Sequence, residues 1–314
     1  MKLHTYKDDP VSMAMQKYLP KRNRLDEHTM PKEEWIEICD RFCVHVDHYT
    51  AEHPKGRILV LHGVGGNGRL LSFIAVPLWK EGYEVICPDL PLYGLTRYEG
   101  VVGYEDWNDI AQEIWNRYCH EDLPAYVFGL SAGGMLAYET ASGVKNVQGL
   151  IVTCLLDQRI PTVIMSTSNN PLTAVLGKPL LKLIHKPLGK IRIPMKSVCA
   201  MDQIVNHKEV CDLLLHDPLS SGSSVSLEFL YGMLNPVLNK EPEEFDRCPV
   251  LFVQPSEDRW TKEEISRLFL DRIASDVIIA RLPGAGHFPI EEEGLTVLES
   301  SIVSFIKSTS LTAE

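Results

Sequence analysis

The chain has 314 residues, 45% of them hydrophobic and 23% charged, which fits a globular protein with one large core or one core plus an insertion. Its formal net charge of -11 excludes the basic field that a nucleic-acid surface requires. No apolar run is long enough to span a bilayer, and the opening stretch lacks the apolar centre of a secretory signal, so a cytoplasmic protein is expected. The eight cysteines (Cys39, Cys43, Cys87, Cys119, Cys154, Cys199, Cys211 and Cys248) are scattered, with no C-x-x-C pair. They read as free buried thiols in a reducing compartment, not as a metal site, with Cys39 and Cys43 on one helix.

Residues 1–42 read as an N-terminal helical segment. Pro31 at a first turn, Glu33 and Glu34 beside it and Arg41 at the end predict a helix over 31–41. Residues 43–49 alternate and predict a strand. Its His45 and His48, with His53, do not share a face at ligand spacing, so solvent-exposed histidines are expected there and no metal. Residues 57–61 form an apolar strand that runs into the loop His62-Gly63-Val64-Gly65-Gly66-Asn67-Gly68, with a helix over 69–80. Gly63, Gly65 and Gly68 have the spacing of a dinucleotide-phosphate turn, but no Lys-Ser/Thr grip accompanies them and the strand lies well inside the chain. A loop that presents backbone N–H groups to an oxyanion needs the same glycines and suits the sequence better.

A strand over 83–87 and a helix over 104–118 follow, the helix with Trp107, Ile110, Ala111, Ile114 and Trp115 at core spacing. The strand 125–128 then meets Gly129-Leu130-Ser131-Ala132-Gly133, and a helix begins at once over 133–141. Strand, tight turn and helix make the setting of a nucleophile elbow, in which a Cβ at Gly129 or Gly133 would clash. With the next strand, 148–156, the alternation predicts an α/β protein with a mostly parallel, doubly wound sheet. Reactive groups of such sheets gather at the carboxyl ends of the strands.

The alternation breaks over 159–246, a proline-punctuated, helix-prone insertion. It divides a core of residues 43–158 and 247–314. Within it, 171–198 carries Lys178, Lys182, Lys186, Lys190, Arg192 and Lys196 with no acidic residue, interleaved with leucine and isoleucine. That stretch reads either as the solvated face of a cap helix or as a surface for anionic lipid or a substrate head group. A strand over 249–253 precedes Asp258, and a helix over 261–273 is expected with Thr261 and Glu264 as its capping box. The strand 277–281, the loop carrying Gly286-His287, and a helix over 292–306 complete the chain.

A serine hydroxyl becomes nucleophilic when a base of near-neutral pKa takes its proton and a carboxylate orients that base. The chain supplies Ser131, Asp258 and His287 in that order, each just past a predicted strand, with Asp157 as the alternative acid. The His62-Gly63 loop, the Gly129-x-Ser131-x-Gly133 elbow, the acid after strand 249–253 and Gly286-His287 together resemble the α/β-hydrolase superfamily over residues 43–308. Within it the resemblance is to esterases, lysophospholipases and monoacylglycerol-lipase-like enzymes with a helical cap. It implies that Ser131 attacks a carbonyl, His287 moves the proton and Asp258 holds His287. The N–H groups of Ala132 and Val64 would bind the oxyanion, with no metal or organic cofactor. Leu92 and Pro255 stand where the family usually has glycine, and Thr96 where it often has serine. The expected substrate is a small-molecule carboxylic ester with a medium or long acyl chain. Thioester, amide or peptide, and carbon–carbon cleavage are alternatives on the same machinery, as is a non-catalytic binding relative. No nucleic-acid partner is expected, contact with a membrane surface is compatible with the basic stretch, and the pattern sets no oligomeric state.

Overall fold

In the computed structural model, residues 5–169 and 171–310 are described. Residues 1–4 of the opening stretch, residue 170 of the insertion and residues 311–314 of the expected core lie outside the described residues. The N-terminal part holds the short helix α1 (Pro10–Met15) and two strands, β1 (Lys32–Ile38) and β2 (Phe42–Tyr49). Next come β3 (Arg57–Leu61), α2 (Ser72–Lys80), β4 (Glu84–Pro88), the two-residue β5 (Arg97–Tyr98) and α3 (Tyr104–Tyr118). β6 (Ala125–Gly129), α4 (Ala132–Gly143) and β7 (Val147–Val152) follow. Then the chain leaves the sheet for α5 (Pro161–Thr167), α6 (Pro171–Leu188), β8 (Arg192–Pro194), α7 (Lys208–His216), β9 (Ser224–Ser226) and α8 (Leu227–Leu234). It returns as β10 (Val250–Pro255), α9 (Glu263–Leu270), β11 (Val277–Leu282) and α10 (Glu292–Ser310).

The main sheet has the order β1-β2-β4-β3-β6-β7-β10-β11, with β5 paired to β2. From β4 through β11 every neighbour is parallel. β6 and β10 are buried along their whole length, as strands covered on both faces must be. α2 and α10 pack together on one face, α3 and α4 on the other. The strand order reverses at β3: the chain goes first to β4 on one side, then to β6 on the other. Ligands of open α/β sheets bind at such a switch point, outside the carboxyl ends of the strands. Because Leu61 of β3 is level with Gly129 of β6, the loops carrying Gly63 and Ser131 start side by side.

The segment between β7 and β10 lies over that edge. α6 packs on α8, and α8 on α3. Ser221, Ser223 and Ser226 donate their hydroxyls to the carbonyls of Gly65, Leu92 and Val102, so the segment is tied to the loops after β3, β4 and β5. Among the described residues no helix is long and apolar enough to cross a membrane.

The N-terminus departs from the sequence expectation. The helix expected over 31–41 is strand β1, paired antiparallel with β2 through the turn of Cys39 and Asp40, whose φ angles are 50° and 52°. Alternation of Glu33, Trp35 and Glu37 against Glu34, Ile36 and Ile38 buries Ile36 and Ile38, a period of two that tertiary pairing favoured over the helix-end signals. Cys39 therefore sits exposed in a hairpin turn and Cys43 in β2, not on one helix. All eight cysteines are free, Cys199 only partly buried and the remaining six buried. His45 and His48 are buried, not solvent-exposed, because β2 lies inside the sheet and Glu33, Glu34 and Glu84 receive their ring nitrogens. His53 is exposed.

Candidate active site

The elbow is built by steric necessity. Ser131 has φ 58°, a left-handed backbone that only the surrounding turn can impose on a non-glycine residue. A Cβ at Gly129 would overlap the Gly133 carbonyl, and one at Gly133 would overlap the Leu61 carbonyl. The neighbouring loop comes equally close: a Cβ at Gly63 would lie 2.8 Å from Ala132 N. Ala132 is the first residue of α4, so its N–H has no carbonyl four residues back to bond.

Three side chains from three loops meet there. His287 Nε2 lies 2.7 Å from Ser131 Oγ, and His287 Nδ1 lies 2.8 Å from Asp258 Oδ2. All three residues are buried. The Trp260 and Thr261 N–H groups donate to Asp258 Oδ1, each at 2.8 Å, and the Thr261 hydroxyl donates to Oδ2 at 2.8 Å. Burial pushes the Asp258 carboxyl up. The facing His287 and the Thr261 donors outweigh that, and hold it below its ordinary value. An ionised carboxylate on Nδ1 leaves Nε2 as the acceptor of the Ser131 proton.

Asp157 lies elsewhere. It is buried against the guanidinium of Arg159, at 2.9 Å, and also accepts the Arg159 backbone N–H. Arg159 in turn reaches Glu241, so Asp157 anchors the exit from β7.

Two residues take parts in the site that the sequence did not assign to them. Thr261 does not cap α9, which begins at Glu263 with Lys262 in the cap position; its hydroxyl turns back to Asp258 and lies 3.0 Å from His287 Nδ1. His62 is a clamp. The Leu90 N–H donates to its Nε2 at 2.9 Å, and its Nδ1–H donates to the Gly63 carbonyl at 2.8 Å. Burial pushes this imidazole down to about 4, so it stays neutral and fixes the peptide before Val64. The His-Gly pair flagged the loop, but the clamp needed Leu90, which only folding supplies. At the positions that depart from the family pattern, Leu92 holds a glycine-like φ of 85°. Thr96 donates its hydroxyl to the Asp89 carbonyl at 2.6 Å, and Pro255 ends β10.

A cavity of about 360 Å³ opens beside Ser131, Ala132 and Val64, roofed by α6 and walled by Ile164, Leu181, Leu230 and Trp260. Lys178 is its one charged lining group among the described residues. The one cluster among them with metal-ligand geometry, Glu33, His45 and Asp47, lies in the N-terminal half of the sheet. There the Arg69 guanidinium already meets Asp47 at 2.5 and 2.8 Å, occupying the place a cation would take.

A nucleophile elbow, an imidazole and a carboxyl at the switch point of a parallel sheet define an α/β-hydrolase, an enzyme of the serine hydrolase type. Residues 52–294 match the Hydrolase_4 family, described as serine aminopeptidase, S33, and the chain belongs to that family. It is 25% identical over 235 residues to Phospholipase YtpA of Bacillus subtilis (strain 168), which covers 72% of this chain and 85% of the relative. A soluble variant of monoglyceride lipase from Saccharomyces cerevisiae, solved with a substrate analogue, superposes with a TM-score of 0.71 at 17% identity, over 90% of this chain and 96% of that one. The monoacylglycerol lipase of Paleococcus ferrophilus gives 0.65 at 19% identity, over 85% and 99%. At these identities the structural likeness speaks for the fold.

Proposed function

We propose that the protein hydrolyses carboxylic esters with a medium or long acyl chain through an acyl-enzyme. The observation that carries this reading is the 2.7 Å contact of His287 Nε2 with Ser131 Oγ, at the wall of a large apolar cavity. As Ser131 Oγ attacks the ester carbonyl carbon, its proton passes to His287 Nε2, and Asp258 stabilises the imidazolium. The carbonyl electron pair moves onto oxygen, toward the N–H groups of Ala132 and Val64. Collapse of the tetrahedral intermediate breaks the bond to the alcohol, which leaves with the proton from His287. Water, activated by the same imidazole, then releases the acid.

Ester cleavage is favoured over aminopeptidase chemistry by the lining of this cavity. A free amino terminus beside the scissile bond calls for a carboxylate, and the charged lining group here is Lys178. The names of the relatives, phospholipase and monoglyceride lipase, point the same way. In this reading residues 159–246 act as a cap over a core of 43–158 and 247–314, and the free thiols suit a reducing cytoplasm.

The cap would also touch a lipid surface. Leu172, Val175, Leu176, Leu180 and Leu183 of α6 are all exposed, Leu183 at 77%. Lys182, Lys186 and Lys190 stand exposed beside them. An apolar face edged with cations suits an anionic interface, and Leu180 belongs to the cavity wall as well.

The test is a ladder of p-nitrophenyl esters from acetate to laurate. kcat/KM should rise about fourfold per methylene over the first several carbons, at roughly 0.8 kcal/mol each. Ser131→Ala should lower turnover on the order of 10⁶-fold and abolish labelling by a fluorophosphonate. A preference for acetate removes the acyl pocket, and activity retained in Ser131→Ala removes the nucleophile.

A further inference from the structure

Where the loop after β5 meets β8 of the inserted segment lies a cavity of about 180 Å³, which shares no lining residue with the Ser131 cavity. Its charged lining groups are Lys190 and Arg192, and no carboxylate lines it among the described residues. In a chain of net charge -11 such a cavity is an electrostatic exception. Neutral partners hold Arg192 in place. Its Nε and Nη2 donate to the Ser224 carbonyl at 3.1 and 2.5 Å, and its Nη1 donates to the Tyr98 hydroxyl at 3.0 Å. A carbonyl and a phenol orient the guanidinium without cancelling its charge. Lys190 is exposed and meets no acceptor among the described residues.

Donors go unspent on the loop side as well. Tyr98 accepts from Arg192, which leaves its own O–H to give. The backbone N–H groups of Gly100, Val101 and Val102 meet no acceptor among the described residues, although Val102 is only 1% exposed. An N–H buried without a partner costs stability. Gly100 takes φ 83°, and a left-handed residue in a turn is what gathers successive N–H groups into an anion-binding concavity. The carbonyls of Val101 and Val102 are already used, by Arg41 Nη2 at 2.9 Å and by the Ser226 hydroxyl at 2.7 Å.

We propose that this cavity binds a phosphate group, and that the bound anion ties the inserted segment to the core. Two cations, a phenol and a run of backbone N–H groups offer positive charge and donors. A phosphomonoester answers with about two negative charges and three acceptor oxygens, more than a carboxylate brings. The space suits a phosphate with a short polar substituent, since one water occupies about 30 Å³ in the liquid. Lys190 and Arg192 follow directly on α6, the roof of the Ser131 cavity, whereas Gly100–Val102 lead into α3 of the core. A phosphate held from both sides therefore opposes separation of that roof from the sheet. The same group can arrive on a small soluble molecule or as the head group of a lipid. The proposal stands apart from the ester-hydrolase reading, because binding is measured without turnover.

The experiment is isothermal titration calorimetry of the full chain with glycerol 3-phosphate, in wild type, Lys190→Ala, Arg192→Gln and Tyr98→Phe. Wild type should bind with Kd of about a millimolar or tighter, and added sodium chloride should weaken it. Lys190→Ala and Arg192→Gln should each weaken binding by about tenfold or more, and Tyr98→Phe by a smaller factor. Because Lys190 touches nothing, Lys190→Ala should keep the wild-type Tm without ligand, and only wild type should gain Tm when glycerol 3-phosphate is added. A second arm floats the protein with vesicles of phosphatidic acid or of phosphatidylserine at matched charge. A wild-type preference for phosphatidic acid that disappears in Lys190→Ala supports the site with a lipid as its source, even where glycerol 3-phosphate does not bind. A plain loss of surface attraction in that variant would lower both lipids equally and leave the preference intact, which overturns the lipid source. Binding of neither probe, or binding equal in wild type and both charge variants, overturns the site. Acetate held as tightly as glycerol 3-phosphate overturns the phosphate assignment.

Discussion

Thr261 Oγ1 lies 2.8 Å from Asp258 Oδ2 and 3.0 Å from His287 Nδ1, so one hydroxyl touches both ends of the bond that aims the imidazole. Its proton goes to the carboxylate, which then holds two donors on one oxygen. Thr261→Val keeps the shape and removes one of them, at a cost of about 1.5–3 kcal/mol for a hydrogen bond to a charged group. In the proposed mechanism this is a fall in kcat of roughly tenfold or more with KM little changed, since there the group holds the base and not the substrate. Thr261→Ser should restore most of the rate. Equal kcat in wild type and Thr261→Val would show that the backbone donors of Trp260 and Thr261 suffice. The local letters around this residue spell a helix start, with Glu264 three positions on, and so they hid its use. α9 instead begins at Glu263, and the hydroxyl is claimed by a carboxylate that belongs to the loop before it. Ser131 was legible for the opposite reason: its strand, turn and helix are contiguous, so the constraint that makes an elbow is written in consecutive residues.

Helix α6 shows how much a single element's pattern can say. The absence of acidic side chains over 171–198, in a chain of net charge -11, marks this face as electrostatically unlike the rest. Folding turns Leu181 inward and leaves Leu176 and Leu183 outward, at 54% and 77% exposure. Wild-type protein should therefore sediment with vesicles containing phosphatidylserine, less with neutral phosphatidylcholine vesicles, and less again at high salt. Each lysine near the surface contributes about 1 kcal/mol and each inserted leucine about 1.5–3 kcal/mol. The double variant Leu176→Asp, Leu183→Asp should lose more than tenfold in vesicle affinity. Neither side chain lines the cavity, so hydrolysis of short soluble esters measures whether the fold survived. Wild type that stays in the supernatant at low salt would refute the surface. The hairpin β1–β2 was the element least legible in the sequence. Its outer strand carries three glutamates and a lysine, poor strand formers, and its pairing depends on a partner strand and on buried histidines bonded to two of those glutamates, Glu33 and Glu34. The parallel strands announced themselves through continuous apolar runs, whereas a polar edge strand is stabilised by contacts that only the assembled sheet provides.

At the scale of the whole molecule, the N-terminal hairpin is joined to the catalytic face by a buried network of charge. His45 lies between Glu33, at 3.0 Å from Nε2, and Asp89, at 3.1 Å from Nδ1. Asp89 also accepts the Gly68 and Leu95 N–H groups at 2.7 Å and the Tyr6 hydroxyl at 2.9 Å. Arg69, in the stretch between β3 and α2, grips Asp47 of β2. One cluster thus fixes the N-terminal segment, the hairpin and the loops after β3 and β4, and the loop after β3 borders the Ser131 cavity with Val64. Burial alone would push the His45 imidazole down, but Asp89, Glu33 and Asp47 outweigh it and hold it up at about 10. Between an unfolded value of about 6.5 and that folded value, the native state binds the extra proton. The stabilisation is therefore fully present below about pH 6.5 and is lost as pH rises toward 10. His45→Gln leaves Asp89 without its cation, while Glu33 keeps Arg69 at 3.6 Å, and breaking a buried pair on one side costs about 3–5 kcal/mol. Urea unfolding at pH 7 and at pH 10 should show a wide stability gap between wild type and His45→Gln at the lower pH and a much narrower one at the higher. A gap of equal size at both would mean that His45 is neutral in the native protein and that Arg69 alone supplies the positive charge binding the hairpin to the core.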